Sequence, residues 1–177
     1  MIETEQTIVI DAAIEDVWSY ARDMQRWASI MPGYQECQIV DDDNSLWVLK
    51  IGVGGLVRTV KVQVRVDRWA GPDAVDFTFN LQGDPVNGGG AYRARALSPA
   101  QTEVVLTVQV NGSGPMAPMW EAMGGPVLPK FARSFAEQLK AMIEQAFGTP
   151  GEGAPAAPAA RPSLFARLLA WLRRLFG

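Results

Sequence analysis

Residues 59–67 read TVKVQVRVD, and this stretch decides the fold class. Val60, Val62, Val64 and Val66 alternate with Lys61, Gln63, Arg65 and Asp67. A period of two puts the valines on one face of a strand and the polar residues on the other, so one face is buried and one is wet. The pattern repeats on both sides. Upstream, Leu49, Ile51 and Val53 alternate; downstream, so do Phe77 and Phe79, then Tyr92, Ala94 and Ala96 against Arg93 and Arg95, then Val104, Leu106, Val108 and Val110. Turn signals stand between these runs at Asp41–Asn44, Gly52–Gly55, Gly71-Pro72-Asp73, Asn87–Gly90 and Ser98-Pro99. Consecutive one-sided strands predict an antiparallel sheet with one covered face.

The flanks read differently. An opening strand over Ile2 to Ile10 is followed by Asp11 and Ile14-Glu15-Asp16, where acids in a first turn favour a helix start. Ile14, Val17, Trp18 and Ala21 fall at helical spacing, and a second helical turn through Trp27 and Ile30 ends at Pro32-Gly33. After Gly114 the period becomes helical again. Val127, Leu128, Phe131, Phe135, Leu139, Met142, Ile143 and Ala146 trace one apolar stripe, and Pro126 and Pro129 start or kink that helix. The expected fold is α+β, a curved antiparallel sheet wrapped around a long C-terminal helix. Residues 1–147 form the body, 148–162 (GTPGEGAPAAPAARP) a Pro/Ala/Gly-rich linker, and 163–177 (SLFARLLAWLRRLFG) a separate apolar and basic segment.

Composition narrows the chemistry. Of 177 residues, 48% are hydrophobic, enough for a packed core. Histidine is absent, which removes His-based triads and His-ligated metals. The lone Cys37 makes neither an internal disulfide nor a Cys-rich metal site, and reads as a small buried apolar residue. Gly83–Gly90 lacks the Lys-Ser/Thr that phosphate binding requires and reads as a flexible hairpin turn. Asp23, Glu36, Tyr34 and Tyr92 show no catalytic spacing, so no catalytic residue and no metal ligand is assigned. Net charge is −3, but residues 161–177 contribute +4 and leave −7 on the remainder. An acidic body does not attract nucleic acid. No signal peptide and no apolar run of spanning length is expected, which places the body in the cytoplasm.

A curved sheet around a helix can enclose a cavity. Ala94 and Ala96 fill little of the presumed inner face, and Met116, Met119, Trp120 and Met123 supply adaptable apolar groups. These four either line a pocket or pack the core. Arg58, in register with Leu56 and Val60, either holds the polar head of a ligand or reaches solvent at a strand end. Trp47 and Trp69 either line the cavity or cap its rim. The candidate ligand-lining set is Trp47, Leu49, Arg58, Val60, Val62, Phe77, Phe79, Tyr92, Ala94, Met116, Met119, Trp120, Met123, Phe131 and Phe135.

On a helical wheel the C-terminal segment separates into two faces. Leu164, Phe165, Leu168, Leu169, Trp171, Leu172, Leu175 and Phe176 fall on one, and Ser163, Arg167, Ala170, Arg173 and Arg174 on the other. Such a helix is too short to span a bilayer and fits its interface. Packing on the acidic body or on a partner protein is the other reading. Burial of the eight large apolar side chains, at roughly 1.5–3 kcal/mol each, is partly cancelled by ordering at about 1–2 kcal/mol per residue. Arginines near an anionic leaflet add about 1 kcal/mol apiece, so attachment is reversible. The linker reaches on the order of 40 Å when extended.

The opening IVIDAAIEDVWSYARDMQRWASIMPGYQECQIV (residues 8–40) resembles the START-like/Bet v 1-like (SRPBCC) helix-grip superfamily, and within it the CoxG group associated with carbon monoxide dehydrogenase. The matching marks are Ile10, Ala12, Val17-Trp18, Met31-Pro32-Gly33, the Val53–Leu56 glycine turn and Gly89-Gly90-Ala91, with the Pro/Ala linker and amphipathic terminus in support. Ala13-Ile14, where a proline usually opens the first helix, and Tyr34, where a small residue or cysteine often follows Pro-Gly, depart from the pattern. The resemblance implies a hydrophobic-ligand cavity under the long helix. It also implies recruitment to the inner face of the cell membrane and traffic of a menaquinone-type isoprenoid quinone to a molybdenum-containing dehydrogenase. It carries no catalytic motif and no covalent cofactor. The rivals are a polyketide cyclase/dehydratase-like enzyme on the same fold and an assembly factor that binds only protein. Deleting 163–177 is expected to abolish co-sedimentation with anionic vesicles while leaving the circular dichroism of the body unchanged; undiminished co-sedimentation refutes the anchor.

Overall fold

The computed structural model describes residues 1–53 and 55–148. The expected terminal segment 163–177, and the linker beyond Gly148, lie outside the described residues. Element order is β1 (Ile2–Ile10), α1 (Ile14–Ala21), α2 (Met24–Ser29), β2 (Tyr34–Ile39), β3 (Asn44–Val53), β4 (Leu56–Ala70), β5 (Ala74–Leu81), β6 (Val86–Ser98), β7 (Gln101–Gly112), α3 (Ala117–Gly124) and α4 (Leu128–Phe147). Among the described residues the strands form one seven-stranded sheet in the order β1-β7-β6-β5-β4-β3-β2, antiparallel throughout. The helix-grip architecture expected from the alternating strands and the terminal helix is the one observed.

Val60, Val62, Val64 and Val66 are all buried, and the residues between them are exposed. Register shifts between Val66 and Arg68 on β4, and between Ala96 and Ser98 on β6, add local twist and curl the sheet. The curl gives α4 a concave seat. Ala132, Phe135, Ala136, Leu139 and Ile143 form its buried stripe, and Leu139 and Ile143 join Ile10, Val17, Tyr92 and Val104 in the solvent-free part of the core. The C-terminal part of α4 is also clamped to β1. Lys140 Nζ donates to Val9 O and to Glu144 Oε1, each at 2.6 Å, and the same Glu144 oxygen accepts from the Asp11 amide at 2.9 Å.

The helices between β1 and β2 start and stop for local reasons. Asp23 caps α2, its Oδ1 accepting from the Gln25 and Arg26 amides at 2.9 and 3.3 Å. Gly33 follows with φ +79°, and a Cβ there would sit 2.0 Å from Lys50 O, so only glycine lets β2 leave α2 at this angle.

Two expectations change. Residues 87–90 are not a hairpin turn; they lie inside β6, and the turn is at 82–85, where Gly83 has φ +83°. Gly88 and Gly90 pair with Phe79 and Phe77 on β5, and a Cβ on either would collide with the facing ring, at 2.4 Å from Phe79 Cζ and 2.5 Å from Phe77 Cζ. The glycines are there to let two aromatic rings lie across the neighbouring strand. The C-terminal cover is likewise two helices, α3 and α4. Pro129 sits in the first turn of α4, where its missing amide hydrogen costs nothing, and α3 has no buried residue. No described helix is long and apolar enough to cross a membrane.

Gly90→Ala is expected to destabilise the body by about 1–3 kcal/mol in chemical denaturation, because the new methyl meets both Phe77 and Thr107 O. Unchanged stability contradicts this packing.

Candidate functional site

The concave face is filled only at one end. Under the C-terminal half of α4 the core is closed; under its N-terminal half lies an inner chamber of about 280 Å³. The sheet contributes Trp47, Leu49, Val62, Val64, Val66, Phe77, Phe79, Leu106 and Val108 to its wall, α2 and its flank contribute Met24, Trp27 and Met31, and α4 contributes Leu128, Phe131, Ala132 and Phe135. Apart from the tryptophans, Thr107 is the one polar residue among those that line it, and none is ionisable. Trp27 organises the aromatic end, with its ring 5.4 Å from Phe135, 5.9 Å from Tyr92 and 6.4 Å from Phe77. The three lining indoles have already spent their N–H groups. Trp47 donates to Ser45 Oγ at 2.8 Å, Trp69 to Asp43 Oδ1 at 2.9 Å, and Trp27 to Ala21 O. The inner chamber therefore offers a guest apolar surface and almost no hydrogen bonding.

An outer chamber of about 300 Å³ adjoins it and shares Ile2, Ile51, Leu81, Val86, Val110, Gly124 and Val127 with the inner one. Where the two adjoin, Ile2 lies against Gly124, and a Cβ there would stand 2.8 Å from Ile2 Cδ1. The outer wall adds Leu56, Arg58, Val60, Asp84, Trp120, Glu121 and Met123. Here charge appears. Arg58 holds Asp84 through two contacts of 2.9 and 2.8 Å; Asp84 is nearly buried and Arg58 is 56% exposed. Glu121 is ion-paired with the Met1 ammonium. The site is thus amphipathic along its length, apolar inside and ionic at the mouth.

The candidate lining residues divide accordingly. Trp47, Leu49, Val62, Phe77, Phe79, Phe131 and Phe135 meet in the inner chamber, and Arg58, Val60, Trp120 and Met123 in the outer one. Four stand elsewhere. Tyr92 is fully buried in the closed core, its hydroxyl has no partner, and burial drives its phenol far above the usual tyrosine range, with Asp73 adding to the effect. Ala94 is half-buried against the closed core. Met116 and Met119 are 49% and 42% exposed, because α3 rides over the sheet end with Trp120 packed near Gly112 and its methionines turned outward. Arg58 borders the outer chamber and also reaches solvent. Trp69 lines the inner chamber. Met24, Trp27 and Met31 were missed; their i, i+3, i+7 spacing was the available signal. Asp23, Glu36, Tyr34 and Tyr92 line neither chamber. Among the described residues no group of three or more His, Cys, Asp or Glu gathers to hold a metal.

Comparison with known proteins places this geometry. The family model described as "Polyketide cyclase / dehydrase and lipid transport" matches residues 1–144. Among curated proteins none matches. A conserved protein from Geobacillus kaustophilus is 19% identical, with TM-score 0.71 over 82% of this chain and 97% of that one. A START superfamily protein from Mycobacterium smegmatis is 16% identical, with TM-score 0.63 over 81% and 98%. The Zhui aromatase/cyclase from Streptomyces is 19% identical, with TM-score 0.59 over 83% and 98%. At these identities the solved structures show a common fold. With a family model that spans nearly all of its described residues, the chain belongs to the polyketide cyclase / dehydrase and lipid transport family.

Proposed function

We propose that the chain is a non-catalytic carrier for a lipid-like molecule with a polar head, of the isoprenoid quinone (menaquinone) class. The observation that carries this reading is the pair of adjoining chambers: the inner one is lined by hydrocarbon and aromatic groups, with Thr107 the one polar residue besides its tryptophans. Apolar cavities of this kind stay dry and accept apolar guests, and volumes near 300 Å³ and above suit drug-sized molecules. The prenyl portion enters the inner chamber, the ring lies in the outer one, and a ring carbonyl accepts from the exposed side of Arg58.

The rest of the reading extends this site to the cell. Segment 163–177 holds the body on the inner face of the membrane, the quinone leaves the bilayer for the cavity, and a redox enzyme of the carbon monoxide dehydrogenase type receives it, as the CoxG resemblance implies. The stretch Gly112–Gly125 bounds the outer chamber and is the gate.

The second reading is an aromatase/cyclase-like enzyme, favoured by the fold shared with Zhui. Its acid–base groups are limited to the mouth, where Asp84 and Glu121 are both ion-paired. An inner chamber without ionisable groups supports holding a guest more than transforming it. A protein-only assembly factor has no use for the chambers.

Organic extracts of the purified protein are expected to contain an isoprenoid quinone by mass spectrometry. Ala132→Phe, which fills the inner chamber, is expected to lower that content at least tenfold with the fold retained. Retention of quinone by this variant, or its absence from the parent protein, refutes the carrier; turnover of a polyketide mimic supports the enzyme instead.

A further inference from the structure

The start of β4 carries an apolar pair that nothing within residues 1–53 and 55–148 covers. Leu56 is 74% exposed and Val57 65%. As neighbours on a strand they leave by opposite faces: Leu56 shares the parity of Val60–Val66, and Val57 that of Thr59 and Lys61. Gly55 precedes them with φ +84°, and a Cβ there would meet nothing within 4 Å. Single exposed apolar side chains are ordinary on a protein surface. An adjacent pair that leaves both faces of a strand end apolar is not.

We infer that Leu56 and Val57 form a wedge that enters the headgroup layer of an anionic bilayer and reaches the acyl boundary. Two observations choose lipid as the occupant. The first is that both faces are apolar. A groove on a partner protein covers one face of a strand, whereas lipid surrounds an inserted end on every side. The second is charge. The chain as a whole is net −3, but from Lys50 to Lys61 it carries Lys50, Arg58 and Lys61 and no acid. Lys50 pairs in register with Thr59, so it shares the outward face with Val57 and Lys61. At about 3.3 Å of rise per residue, Lys50 and Lys61 stand about 7 and 13 Å behind Val57. With the tip at the acyl boundary, the nearer lysine lies in the headgroup layer and the further one reaches it with an extended side chain. Among the described residues neither lysine is ion-paired, so both can meet lipid phosphates.

This contact goes beyond the carrier reading, and its consequence for a guest rests on that reading. Leu56 belongs to the wall of the outer chamber. Immersion of the tip therefore sets that chamber against the bilayer, and an apolar guest passes between the two with little exposure to water.

The test is spin labelling of the full chain in a Cys37→Ser background, which removes the chain's one cysteine. Val57→Cys places the label on the wedge. Ala100→Cys places a control in the exposed turn between β6 and β7, at the opposite end of the sheet. On mixed phosphatidylglycerol and phosphatidylcholine vesicles, the ratio of oxygen to nickel-chelate accessibility is expected to rise roughly fivefold at position 57 and to stay unchanged at position 100. Leu56→Ser/Val57→Ser, with Cys37 retained and circular dichroism unchanged, is expected to need roughly tenfold more lipid for half-saturation. Lys50→Gln/Lys61→Gln is expected to weaken binding to phosphatidylglycerol vesicles roughly tenfold and to leave binding to pure phosphatidylcholine unchanged. A vesicle-bound chain whose position 57 stays in water, or a serine pair that binds as the parent does, overturns the wedge and leaves the anchor at 163–177 standing. A chain that does not bind vesicles overturns both. Shielding of position 57 from both reagents in the absence of vesicles overturns the wedge in favour of contact with a second copy. The quinone content of organic extracts reads the carrier separately from all of these.

Discussion

The structure depends on how one helix stripe meets one curved sheet. Helix α4 presents Leu139 and Ile143 to a part of the concave face that is fully closed. Its earlier turns present Leu128, Phe131 and Phe135 to open space. Under those turns the side chains of the helix and the sheet leave the inner chamber between them. Stability is concentrated in the closed half, where each large-to-small change costs about 2–5 kcal/mol. Recognition is left to the open half, whose lining atoms lack contacts that a guest would restore.

The polar groups of the cavity follow the same division. Large aromatic groups fill much of the inner wall, and each indole N–H is tied to a partner outside the lumen, on Ser45, Asp43 or Ala21. A chamber built this way discriminates by shape and hydrocarbon area. Charge stands only at the mouth, where Arg58 is held by Asp84 but keeps an exposed side.

The strands were legible because alternation is a local signal. Val60–Val66 showed its buried face residue by residue, and the stripe from Phe131 to Ile143 showed the covering helix. Three features were not legible, each for a physical reason. Gly88-Gly89-Gly90 has the composition of a turn, but its role is set by Phe77 and Phe79 on the adjacent strand, a contact across sequence. Met116 and Met119 have core-like chemistry, yet α3 is a short helix lying on the sheet end, and nothing in its own sequence says which way it turns. The empty inner chamber depends on the gap between sheet and helix, a difference of shapes that no single segment encodes. The family followed from ordered marks between Ile10 and Ala91, while the identity of a guest depends on that gap.

The Lys140–Glu144–Asp11 clamp has a mechanical consequence. It fastens α4 to the end of β1 at the closed half of the core and leaves the Val127 end without an equivalent tie among the described side-chain contacts. A rod pinned near one tip moves as a lever. Over the about 18–24 Å between the clamp and Leu128, a tilt of only about 8° displaces the far tip by about 3 Å, close to the width of a hydrocarbon chain's contact shell. Widening is thereby confined to the outlet, and the hinge sits where the interior is already solid.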